Sequence, residues 1–107
     1  MIEAGFFKED EGFRVIVRGH ANYAPRGQDI VCAAMSVLFL SMTTYISSLE
    51  EVRSRVCRLE RGYAEFECDR GGEQALKLAC IGMQIVSENY PDHVRLYNRI
   101  WKSRKTA

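Results

Sequence analysis

The chain has 107 residues, 47% of them hydrophobic and 27% charged, with a net charge of +1. That length suits one domain around a single core, spanning residues 1–107, and the composition excludes disorder. The near-zero charge excludes a global field that would draw the protein to nucleic acid or a membrane surface. The first residues, Met1-Ile2-Glu3-Ala4, read as no export signal, so the protein is expected in the cytoplasm with reduced thiols. The four cysteines (Cys32, Cys57, Cys68, Cys80) have no CxxC spacing, which argues against zinc; no metal and no cofactor are expected.

Ile2 to Phe7 reads as a strand, followed by a polar turn over Lys8 to Gly12. Phe13, Val15 and Val17 alternate with Arg14, Ile16 and Arg18 in a second strand that ends at Gly19-His20. The loop from Ala21 to Gln28 carries Pro25 and Gly27 and is expected to be irregular. A long helix is predicted from Ile30 to Val52, with Asp29 as its N-cap. Its uncharged run from Ile30 to Leu49 is long enough to span a bilayer, but the hydroxyls of its second half and the flanking acids favour a helix of a folded domain.

Arg55–Leu59 and Tyr63–Cys68 read as a second hairpin, with Ala64, Phe66 and Cys68 facing inward. Gly71-Gly72 precedes a helix over Glu73–Asn89 whose inward stripe is Leu76, Ala79, Cys80, Met83 and Val86. After Pro91, Val94, Leu96 and Ile100 alternate with Arg95, Tyr97, Arg99 and Trp101, which predicts a last strand, with a short helix as the alternative. The basic tail, 102–107, is expected to fray. The order is ββαββαβ, an α+β fold of two layers with two helices on a mainly antiparallel sheet.

The first helix is apolar on nearly every side, whereas a sheet covers only one. A homodimer through this helix, hiding some of Met35, Leu38, Phe39 and Met42, is therefore expected.

Chemistry concentrates between His20 and Ser36. With Asp29 as cap, Cys32 is the third helical residue, close to amides with no partner inside the helix, a setting that favours a thiolate and offers donors to a developing oxyanion. His20, twelve residues earlier at a strand end, is the obvious base. Asp29 has two readings: N-cap, or third catalytic member orienting His20. Ser36 lies one turn beyond Cys32 on the same face, and Gly27 gives the loop backbone freedom. Cys57, Cys68 and Cys80 read as core residues, and His93 as a surface residue.

Gly19-His20-Ala21 followed by Gly27-x-Asp29-Ile30-Val31-Cys32-Ala33-Ala34-x-Ser36 resembles the signature of the bacterial ribosomal-processing cysteine proteases, Prp. The resemblance extends to the length and the ββαββαβ order. It implies that Cys32 is the nucleophile and His20 its base, with Asp29 alongside. It further implies a small dimeric endopeptidase that removes the N-terminal extension of a large-subunit ribosomal protein, cutting after an aromatic residue. The rival reading is a non-catalytic ribosome-assembly or RNA-contacting module, with Arg95, Arg99, Lys102, Arg104 and Lys105 forming a basic patch interleaved by Tyr97 and Trp101.

Overall fold

The computed structural model describes residues 1–102; the expected fraying of the tail therefore lies, beyond Lys102, outside the described residues. Strands β1 (Ile2–Glu9) and β2 (Gly12–Gly19) form the first hairpin, turning only at Asp10-Glu11, so both strands run longer than predicted. Helix α1 (Ile30–Ser47) follows, then the second hairpin of β3 (Ser54–Glu60) and β4 (Tyr63–Asp69). A single 3₁₀ turn at Arg70–Gly72 leads into α2 (Glu73–Asn89), and β5 (Val94–Asn98) closes the order.

The five strands make one sheet in the order β3-β4-β2-β1-β5, antiparallel except where β5 runs parallel to β1. Alternation decides its two faces. Ala4, Phe6, Phe13, Val15, Phe66 and Cys68 point to one side and are buried under the helices. The opposite face is polar, and there Arg14 pairs with Glu9 at 2.9 Å, Glu67 at 2.7 Å and Glu65. The buried stripe of α2 is Leu76, Ala79, Cys80 and Met83, as predicted, with Val86 at its margin.

Helix α1 differs from expectation in two ways. It stops at Ser47, because the Ser48 amide bonds back to Thr44 and Tyr45 while its hydroxyl donates to the Tyr45 carbonyl at 2.6 Å. The Leu49–Val52 stretch instead makes a turn that sets Val52 into the core. The apolar side expected to face a second subunit is also the one that faces the sheet. Met35, Phe39 and Met42 are buried and Leu38 is half-buried, whereas Val37, Leu40 and Tyr45 are exposed. Leu38 packs on α2 at Gly82, where a Cβ would come within 2.6 Å of its Cδ2. By length and composition α1 could cross a membrane, yet its Val31–Met35–Phe39–Met42–Ile46 stripe forms the floor of this core.

The last strand is shorter than the alternation suggested. Asn98 turns the chain by accepting the Ile100 and Trp101 amides on its Oδ1, each at 3.0 Å. Trp101 consequently folds onto Phe6 and Phe13, with ring centroids 6.2 Å apart in each case, and its indole N–H donates to Glu73. It does not alternate outward with Arg95 and Arg99.

The orientation of α1 is tested by paired truncations. Phe39, 4% exposed, should lose about 3–5 kcal/mol of unfolding free energy on Phe39→Ala. Val37, 61% exposed, should change by no more than about 0.5 kcal/mol on Val37→Ala in the same urea titration. Equal losses would contradict this packing.

Candidate active site

Strand β2 delivers His20 to the end of the sheet, and the loop from Ala21 carries the chain to the start of α1. Asp29 joins the two. Its Oδ1 accepts the Cys32 N–H at 2.8 Å and caps the helix; its Oδ2 accepts the Tyr23 N–H at 3.0 Å and the Ala24 N–H at 3.4 Å. Desolvation pushes the Asp29 carboxyl pKa up, but the backbone donors of Cys32, Tyr23, Ala24 and Val31 together outweigh it, holding the group below the usual aspartate value. Of the two sequence readings, the structure realises the cap. Among the described residues no hydrogen bond joins Asp29 to His20.

His20, Cys32, Asp29, Gly27 and Ser36 all line one cleft of about 790 Å³ between the loop, α1 and the second hairpin. The expected site residues are thus brought together around one space. Cys32 is half-buried, while His20, Gly27 and Ser36 are exposed. Gly27 has φ +89° and open space where a Cβ would stand, so its role in the loop is conformational.

The second hairpin is the part of the site that sequence reading missed. Pairing of Arg18 with Tyr63, and the Gly19 amide on the Gly62 carbonyl at 2.9 Å, dock the β3–β4 turn against the strand end that bears His20. Gly62, at φ +83°, lies so close beneath the imidazole that a Cβ would be 2.8 Å from its Nε2. Leu59 and Ala64 then extend the cleft as an apolar wall opposite Leu40. Gly62 is legible locally as a turn residue, but its contact with His20 depends on the β2–β4 register.

Four further expectations are corrected. The Cys32 amide is not a free oxyanion donor, since Asp29 occupies it, and the Ala33 amide is taken by the Asp29 carbonyl at 3.1 Å. Cys57 is not in the core: it is half-buried at an irregularity in edge strand β3, with the Arg14 guanidinium 3.8 Å from its sulfur. His93 is not a free surface residue; it is half-buried and its Nδ1 lies 2.8 Å from the Ala21 carbonyl oxygen. Trp101 does not interleave a basic patch, because it is packed on the core, whereas the Arg99 guanidinium does lie 5.8 Å from the Tyr97 ring centroid; Arg104 and Lys105 lie outside the described residues. Cys68 and Cys80 are buried as expected, and burial, joined at Cys68 by the charge of Asp69, pushes both thiols up to about 11. Among the described residues no three His, Cys, Asp or Glu side chains converge to hold a metal ion.

Residues 1–95 match the family model of the cysteine protease Prp. The ribosomal processing cysteine protease Prp of Staphylococcus aureus is 28% identical over 103 residues, covering 90% of this chain and 97% of that protein. The fold is similar to a crystal structure of the essential ribosomal processing protease Prp from S. aureus with a covalently linked product peptide. That likeness has a TM-score of 0.82 and 24% identity, over 92% of this chain and all of that one. A second S. aureus structure, with a substrate peptide, gives 0.70 and 22% over the same shares of each chain. A Streptococcus mutans protein gives 0.70 and 24%, over 92% of this chain and 94% of that one. The signature between Gly19 and Ser36, the fold and the family match agree: the chain belongs to the cysteine protease Prp family.

Proposed function

We propose that this chain is the ribosomal-processing member of its family, a cytoplasmic endopeptidase that removes the N-terminal extension of a large-subunit ribosomal protein. The observation that carries this reading is one cleft holding His20 and Cys32 together, open along α1 to an apolar wall that suits an extended peptide. In the proposed reaction, Cys32 Sγ attacks the scissile carbonyl as its proton passes to His20. The tetrahedral intermediate collapses as protonated His20 gives that proton to the departing amine, leaving the extension as a thioester on Cys32. Water, deprotonated by His20, then attacks the thioester; the extension leaves as a carboxylic acid and Cys32 regains its proton. No cofactor enters this sequence of steps. Asp29 acts by fixing the helix start and the loop relative to each other, and Gly27 and Ser36 border the bound peptide.

The protein acts as a homodimer in this proposal. Ile30, Val37 and Leu40 on α1, with Leu78, Ile81 and Ile85 on α2, are exposed apolar side chains on the helical layer. Apolar surface shared by two helices is best hidden by a two-fold contact. Since Phe39 belongs to the core, charges that probe the contact belong at Val37 and Ile81.

Cys32→Ala and His20→Ala should each lower cleavage of the ribosomal precursor by on the order of 10³-fold or more, with little change in the urea midpoint. Retained turnover by either would remove its residue from the catalytic pair.

Asp29→Asn keeps one acceptor for the Cys32 amide but loses the second carboxylate oxygen, so its activity should fall between wild type and His20→Ala. Because folding depresses the Asp29 pKa, its ionic contribution to stability is present above about pH 4 and lost as pH falls through the folded value. The stability gap between wild type and Asp29→Asn should therefore narrow below about pH 4 in urea titrations. A constant gap would show that the charge is not what stabilises.

Val37→Glu combined with Ile81→Glu should halve the mass seen by light scattering, without unfolding the chain. An unchanged mass would exclude this face as the dimer contact.

A further inference from the structure

We infer that His93, together with Tyr23 and Tyr90, is a positioning residue that holds the segment around His20 in its reactive place; the inference rests on the protease reading above. His93 stands between α2 and β5, and its Nδ1 reaches the carbonyl of Ala21, the residue next to His20, at 2.8 Å. A carbonyl only accepts, so Nδ1 carries the hydrogen. The His93 main chain is itself anchored: its N–H donates to the Tyr90 carbonyl at 2.9 Å, and its own carbonyl accepts the Ile2 N–H at 2.8 Å. The ring is therefore a fixed post set between α2 and the start of β1.

The same post grips the loop a second time. The Tyr23 ring stands edge-on to His93, with centroids 5.3 Å apart at 81°, and edge-on to Tyr90, at 5.4 Å and 84°. Edge-to-face aromatic pairs at this separation are attractive beyond the area they bury. The Tyr23 backbone N–H is meanwhile bound to Asp29 Oδ2. Ala21, 2% exposed, lies inside this arrangement. Residues 21–24 are thus held to α2 on one side and to the α1 cap on the other, and 25–28 form a separate turn closed by the Gln28 N–H on the Pro25 carbonyl at 2.9 Å. His20 is adjacent to the fixed part. Loss of the Ala21 contact moves the imidazole relative to Cys32, and displacements of about 1 Å at a reacting group cost on the order of 10²-fold.

The test compares His93→Ala with His93→Asn, whose amide nitrogen can place a donor close to the position of Nδ1. Two readouts are used: kcat and KM on a peptide spanning the precursor cleavage site, and the rate of Cys32 alkylation by iodoacetamide. Both use a Cys57→Ser background, so that only Cys32 is accessible. His93→Ala should lower kcat by about tenfold or more with a smaller change in KM, and should slow alkylation; His93→Asn should restore most of both. Cleavage and alkylation that are unchanged in His93→Ala, or equally impaired in both variants, would overturn the inference. If wild type cleaves no such peptide, the protease reading fails, and the alkylation comparison alone decides the positioning role by the same two outcomes. Should His93→Ala not fold, Tyr23→Ala against Tyr23→Phe, at a half-exposed loop residue, carries the same comparison with the same outcomes.

Discussion

Two oxygens of one carboxylate tie this site together. Asp29 Oδ1 closes the first turn of α1 at the Cys32 amide, and Oδ2 gathers the Tyr23 and Ala24 amides of the loop that begins at His20. Without that link, the strand end and the helix start would be joined only by a loop containing Pro25 and Gly27. A cap of this kind contributes about 1 kcal/mol to a helix. Here the same group also sets where a thiol stands relative to an imidazole, so its geometric consequence exceeds its energetic one. The Cys32 amide is consumed in doing so, which means that stabilisation of a tetrahedral intermediate falls to other donors around the cleft.

The sheet supplies the other half of the positioning. β2 lies between β1 and β4, so the strand that ends in His20 is paired along both edges. The β3–β4 turn is brought against the imidazole by that pairing, and Gly62 leaves room for the ring where any Cβ would collide. On the opposite side, His93 holds Ala21 from the α2–β5 connection. His20, at a strand end where a chain normally frays, is in this way flanked by anchored backbone on both sides, Gly19 on Gly62 and Ala21 on His93.

Local signals were legible in the sequence, and long-range ones were not. The Asp29 cap, the bounds of α2 and the inward set Phe66 and Cys68 depend on a few neighbouring residues, and all appear as predicted. The end of α1 is not legible, because Ser47-Ser48 carries no glycine or proline to mark it. The buried side of α1 could not be read, since a helix apolar all round has no period; Met35 and Phe39, not Val37, join the core cluster that holds Phe6, Val15 and Phe66. Trp101 continued an alternating pattern in sequence, yet the Asn98 side chain breaks the strand first. Cys57 leaves the apolar face that alternation gives it because an irregularity between Val56 and Arg58 shifts the register of its strand. His93 follows Pro91-Asp92 and looks solvent-facing; its partner, Ala21, is 72 residues away. Spacing and family resemblance suggest the His20–Cys32 pairing, and the β2–loop–α1 arrangement sets both residues on one cleft.

The account turns on Cys32 becoming covalently bound to the extension it releases. Acid-quenching the enzyme during turnover of the ribosomal precursor, followed by intact-mass measurement and peptide mapping, tests this directly. The predicted species has the mass of enzyme plus extension minus one water, with the added mass on the peptide containing Cys32. Release of the extension with no such adduct, or an adduct carried by Cys57, would contradict it.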